Sequence, residues 1–511
     1  MSRRPGCADI LFLRVFSRAV CFQALRVRPQ SRPPCPDSYG SVHAGDPRDK
    51  ADRQLHDLEL SARGYLPDRV VRERGGSAHA LASAEADALG GSGGRHGSGD
   101  VILRLRRFNV AYRPLFAAGA VHAVVVVGLW FALVESRRSG AGVPLASGIS
   151  PAWIHAHAMT FGTLTFYVFG FLGTAFPRWV NAAPPRPRRV LTWFVLLVSA
   201  QLVLGTALLV GRVLIALCAV LEAAAFLSLL FFLVRALGAG GPSTRMQPLL
   251  VLSAVGLAPI ALALDAAAIL SVNPRLHAAA IEIALRGFLL LVVVGVAFRI
   301  VPFFTANVLG GPPAPRPQKT LVGWEGLAIA RLALGLLARA VPEAAGLGAI
   351  CDGGLAALLG WEFLAWRPGR ALRNPMIAVL YVGLGWVALA LAGSSASGLF
   401  PELAPRLELP VRHALAIGGF ATLVLGMSTR VALGHGGCPI RADGWIIASF
   451  ALIQLAALVR IVFPFLGGIA PLAPSLAHWA ALPWMAAFML WIARIGPVLA
   501  ALPTAVEVPA H

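Results

Sequence analysis

The chain has 511 residues, 57% of them hydrophobic and 13% charged, with a mean hydropathy of +0.72. That balance excludes the roughly three soluble domains its length alone would suggest and marks an integral membrane protein. A net charge of +20 invites a nucleic-acid reading. After residue 100, however, the basic residues sit mainly in short gaps between apolar runs, where bilayer orientation accounts for them, and no nucleic-acid partner is expected.

Residues 1–100 carry 15 of the 44 basic and 12 of the 24 acidic residues in Arg-, Pro- and Gly/Ser-rich stretches, with no apolar run long enough to span a bilayer. They read as a disordered extension. The apolar patches from Ile10 to Val27 are broken by Arg14, Arg18 and Arg26, and no small-residue cleavage site follows, so a secretory signal is not expected. Met1 is the only methionine before Met159, and a natural start near Val101 is the alternative to a translated extension. The transmembrane domain is expected to fill residues 101–511.

Apolar runs of about 20 residues, the length a helix needs to cross about 30 Å of hydrocarbon, recur twelve times. They lie near 114–134, 153–176, 190–211, 213–234, 247–271, 277–304, 321–341, 345–366, 375–397, 409–430, 444–463 and 475–497. The runs are continuous and rich in Leu, Ala and Val, without the alternation of barrel strands, so the fold class is all-α, a polytopic membrane helix bundle. Lys and Arg divide 19 against 8 between alternate loops, with Arg286 and Arg331 inside helices, which predicts both termini in the cytoplasm.

With that orientation the even-numbered spans start at the outer face. His155 and His157 open span two, His277 opens span six, His413 opens span ten and His478 opens span twelve, so five imidazoles share one depth, while His122 is mid-span. Imidazole is a common ligand of haem iron and copper. In the Trp153 to Met159 stretch, two histidines two residues apart point about 200° from each other on a regular helix and must face different partners. The bland reading of each is a solvated interfacial ring beside Trp153. No Cys-x-x-Cys-His run exists, which excludes covalent c-type haem.

Glu222, Asp265, Glu282 and Arg286 lie inside apolar runs, where a central charge costs roughly 2.5–3.5 kcal/mol on insertion scales. They are candidates for an intramembrane charge or proton route. Glu282 and Arg286, four apart, can equally form a self-neutralising pair. Further along, Pro302 is expected to break the end of span six, leaving Arg299, Thr305 and Asn307 as polar groups at the boundary. Span ten ends in Thr429-Arg430-Val431-Ala432-Leu433-Gly434-His435, with Cys438 three residues on. His435 is a separate candidate metal ligand, although its glycine-rich surroundings also suit a plain loop.

Four of these stretches, in this order, resemble the NnrS family of haem- and copper-containing bacterial membrane proteins associated with nitric oxide. They are Arg113-Pro114-Leu115-Phe116, Trp-x-His-Ala-His-x-Met at 153–159, Arg-x-x-Pro-Phe-Phe-Thr-x-Asn at 299–307, and Thr-Arg-Val-Ala-Leu-Gly-His-x-Gly-x-Pro at 429–439. The resemblance covers residues 108–497. It implies a multi-pass protein of the bacterial inner membrane that binds haem and copper and contributes to nitric oxide metabolism or resistance to nitrosative stress, often alongside denitrification. Nitric oxide is then the small-molecule ligand. Two departures stand out: Ala158 occupies the place where the family usually has Glu, and Cys438 one where a basic residue is frequent.

On this reading haem and copper are held by His155, His157 and His413, with His277 as a further ligand, and Arg299, Asn307 and Arg430 belong to the motifs. Two alternatives stay open. One is a multi-span transporter, which the intramembrane charges would suit. The other is a nitric oxide reductase-like enzyme, since histidines opening spans two and ten are also similar to those of haem-copper oxidases. Against it, those enzymes need paired histidines in span ten and more in spans six and seven, where this chain has His413, His277 and none.

Overall fold

The structure, a computed structural model, describes residues 108–501 except 141, 143–147, 241–245, 312–317 and 469–475. The expectations for residues 1–100 lie outside the described residues. Among those described, all regular structure is helical and twelve helices are long and apolar enough to cross a membrane. This is a multi-pass membrane protein.

The helices are α1 (Tyr112–Arg138), α2 (Pro151–Trp179), α3 (Pro187–Val210), α4 (Arg212–Ala239), α5 (Met246–Ser271), α6 (Pro274–Leu309), α7 (Gln318–Leu337), α8 (Ala344–Ala365), α9 (Pro375–Leu399), α10 (Pro401–His435), α11 (Gly444–Val462) and α12 (Ala477–Ala500). Their starts follow local chemistry. Pro151, Pro187, Pro274 and Pro375 open α2, α3, α6 and α9, where proline's missing N–H is no loss. Asn273, Asn374 and Asp443 accept backbone N–H groups of the first turns of α6, α9 and α11.

Three helices differ from the rest. In α2, α6 and α10, 72–78% of the central window is buried, against 22–56% in the other nine. These three recur every fourth helix and form the interior, with the others around them and α12 packing back onto α1. Each is interrupted by a π-helical stretch: Ala158–Thr163 in α2, Ile283–Leu289 in α6 and Ala414–Ala421 in α10. The stretches begin directly after His157, Glu282 and His413. A π turn inserts one extra residue and re-aims what precedes it, and such turns are frequent at functional sites.

Pro302 does not break the end of α6 as expected: the helix continues through it to Leu309 and stops at Gly310, which has φ of 71°. Proline removes one backbone hydrogen bond, whereas unravelling here would strand several in an apolar interior. Small residues let the inner helices approach their neighbours. A Cβ on Gly170 would stand 2.7 Å from the Phe116 ring, so this glycine sets the α1–α2 spacing.

Candidate metal centre

The second turn of α2 aims His157, fully buried, at residues of α4 and α5. Cys218 and Glu222 stand four apart on α4 and therefore share one face, and Asp265 comes from α5; both carboxylates are fully buried. His157 Nδ1–H donates to Asp265 Oδ2 at 2.7 Å, and the other oxygen of Asp265 accepts His277 Nδ1–H at 2.7 Å. One aspartate thus fixes the tautomer and orientation of two histidines from two inner helices. Trp153 stacks on His277 at 4.5 Å between ring centres and closes that side.

The other nitrogen, His157 Nε2, lies 3.0 Å from Glu222 Oε2 and 3.5 Å from Cys218 Sγ. Glu222 Oε1 accepts from Gln201 Nε2 at 2.6 Å, but Oε2 is buried with no hydrogen-bond partner: it is near the imidazole without the alignment of a bond. One nitrogen, one sulfur and one oxygen lie within 4.8 Å of one another on three buried residues. Two ligands of a tetrahedral ion, at about 2.0 Å for nitrogen and about 2.3 Å for sulfur, stand roughly 3.5 Å apart. The spacing and the orphaned oxygen fit a metal ion. The donor set favours a borderline or soft one, since thiolate and imidazole suit copper and zinc better than magnesium or calcium.

His122 of α1 borders this centre and contacts Thr163 Oγ1 through Nδ1 at 2.9 Å. Room for it is made by Gly162, on which a Cβ would stand 2.6 Å from His122 Cε1 and 2.8 Å from Gln201 Oε1.

His155 faces another way. Its ring stacks on Trp130 at 4.4 Å and 21°, and its Nδ1 is buried without a hydrogen-bond partner. His413 of α10 interacts electrostatically with His155 and with Arg460. Its Nδ1–H donates to the Leu409 carbonyl at 2.9 Å, which leaves Nε2 as the lone-pair nitrogen. His478 is paired with Glu135 and stacked against Phe131.

The remaining sequence candidates separate from these histidines. Glu282 and Arg286 pair at 3.2 Å, and Arg331 and Asp352 complete a quartet: Asp352 accepts from Arg286 and Arg331, each at 2.7 Å, and from Ser394 at 2.7 Å. The quartet lines a cavity of about 290 Å³ between α6, α7, α8, α9 and α10. Glu222 and Asp265, grouped with this pair in the sequence, instead belong to the His157 centre. Both ring nitrogens of His435 have protein partners, Arg178 at 2.8 Å and the Val431 carbonyl at 3.0 Å. Arg299 lies over Trp179 and reaches Gln247, Arg430 lies over Phe304, and Asn307 is exposed near the end of α6.

Sequence reasoning missed Cys218, Gln201, Trp130 and Asp352 as site residues. Only Cys218 left a usable signal, its four-residue spacing from Glu222. Ala158 is buried in the π turn of α2, and the carboxylates beside His157 come from α4 and α5 instead.

A model of the NnrS protein family matches residues 107–502 of the chain. No curated protein matches it.

Proposed function

The chain belongs to the NnrS family, and from that premise we propose that this nitric oxide-linked membrane protein would hold copper through His157, Cys218 and Glu222 and haem through His155 and His413. The observation that carries the reading is the buried His157–Cys218–Glu222 group, with one carboxylate oxygen that makes no hydrogen bond and faces His157 Nε2 at 3.0 Å, and the imidazole held by Asp265. Haem iron and cuprous copper both bind nitric oxide, and that is the chemistry the two groups would supply when bound. The chain's own residues orient and seal. Asp265 holds the His157 proton on Nδ1 so that Nε2 is available, His277 caps the second oxygen of Asp265, and the rings of Trp153 and Trp130 cover the two histidine pairs.

The haem assignment is supported by two histidines on two inner helices at the same end of the bundle: His155, whose buried Nδ1 has no hydrogen-bond partner among the described residues, and His413, whose Nδ1 is bonded to the Leu409 carbonyl so that Nε2 carries the lone pair. The loop charge asymmetry supports both termini in the cytoplasm, and the bacterial inner-membrane location rests on the resemblance to the NnrS family. A second reading, a solute carrier, is favoured by the charged cavity around Arg286, Arg331 and Asp352.

Purified protein from cells able to load haem should give a reduced-minus-oxidised spectrum with haem bands that shift on adding nitric oxide, and metal analysis should find copper. His155→Ala and His413→Ala should lose haem while the protein still inserts, and Cys218→Ser should lose copper and keep haem. A colourless wild-type protein would sink the haem reading and favour the carrier; full haem in both histidine variants would remove those ligands.

A further inference from the structure

At the opposite end of the inner helices, arginines tie α2, α6 and α10 into a closed ring. Arg178 of α2 donates to His435 Nε2 of α10 at 2.8 Å. The guanidinium of Arg430, on α10, lies over Phe304 of α6 at 3.9 Å, and that of Arg299, on α6, lies over Trp179 of α2 at 5.2 Å. Each inner helix gives one cation to a ring on another, and the circuit returns to its start. Three positive charges are therefore gathered toward the C-terminal ends of the three helices, in the last turn of α2 and within the last three turns of α6 and α10.

Arg430 is the exceptional member. It is 8% exposed, its Nε is buried with no hydrogen-bond partner, and among the described residues no carboxylate pairs with it. Neighbouring side chains are already engaged: Thr429 donates to the Leu425 carbonyl and accepts Trp491 Nε1–H, and Thr305 is bonded to Tyr381. An aromatic face offsets only part of the desolvation of a buried cation, and leaving such a charge without a counter-charge is strongly unfavourable. A guanidinium presents its N–H groups as a planar fork that matches a planar oxyanion through two parallel hydrogen bonds.

We propose that Arg430 is the centre of an anion-binding site between the inner helices, taking a planar oxyanion of the carboxylate or nitrite type, with Arg178 and Arg299 supplying additional positive potential. The site is separate from the proposed metal and haem positions. Arg430 lies 17 residues beyond His413 on the same helix, roughly 25 Å along the axis at about 1.5 Å per residue.

The test compares wild-type protein with Arg430→Met in the same detergent, at ionic strength held constant with sodium chloride. Thermal unfolding is followed against sodium formate and sodium nitrite, and native mass spectrometry is run on both proteins. A saturable rise in the wild-type unfolding temperature, lost in Arg430→Met, assigns a freely exchanging small anion. No rise, but one anionic molecule retained by wild type and absent from the variant, assigns the carboxylate of a larger bound molecule. Should Arg430→Met not fold, Arg430→Lys, which keeps the charge and loses the fork, is expected to move the formate midpoint to higher concentration or to lose the retained molecule. Wild-type protein with neither a saturable shift nor a retained anion, or a variant that behaves as wild type does, overturns the proposal.

Discussion

His157 carries a different task on each ring nitrogen. Nδ1–H is committed to Asp265, and Nε2 is turned toward Cys218 and Glu222. The aspartate is therefore the residue through which the centre can be weakened without touching a donor atom. Asp265→Asn keeps the size and one acceptor but removes the negative charge that His157 and His277 share. Copper affinity is expected to fall by about 10- to 100-fold, the usual effect of losing such a partner, with haem content unchanged. Titration with a competing chelator measures it, and an unaltered affinity would show that Asp265 does not act through His157. Residue chemistry was partly legible. The histidines, Glu222 and Asp265 declare themselves by being polar in apolar runs, whereas Cys218 is apolar enough to pass unnoticed there, and Trp130 and Trp153 read as ordinary interfacial aromatics.

The element that decides this geometry is the π stretch. On α2 it begins at Ala158, immediately after His157, and it has counterparts in α6 and α10. A π turn takes up one more residue than an α turn in about the same rotation, so the histidine turn is offset by about 100° from where a regular α-helix of the same residues would place it relative to the long packed segment that follows. Inserting one alanine after Ala158 should turn His155 and His157 about 100° away from their partners while Leu164–Trp179 stays packed. The expected outcome is a protein that still inserts, with sharply reduced copper and haem per chain by metal analysis and absorbance; wild-type loading would show that the π stretch does not set the site. None of the three stretches is announced by composition, because π and α turns tolerate the same apolar residues. The helices themselves were legible for the reverse reason: apolarity, length and the capping Pro, Asn and Asp are local properties.

At the scale of the molecule, the 19-to-8 division of loop charges implies an orientation. Green fluorescent protein fused after the last residue is expected to fluoresce, and alkaline phosphatase fused there to be inactive. The reverse pair of results would invert the bundle and place the His155, His157 and His413 end toward the cytoplasm. The sequence alone determined that the chain crosses a membrane through twelve helices and that its motifs resemble those of the NnrS family, because hydropathy and short motifs are written in consecutive residues. The tertiary structure alone decided that α2, α6 and α10 are the interior, and that His157 meets Cys218, 61 positions away, and Asp265, 108 positions away. It likewise decided that Glu282 and Arg286 close on Arg331 and Asp352 rather than joining Glu222 and Asp265. Such meetings depend on how packed helices are rotated and paired. In an apolar bundle that is set by small residues, π turns and the satisfaction of a few buried polar groups, each acting across the fold rather than along the chain.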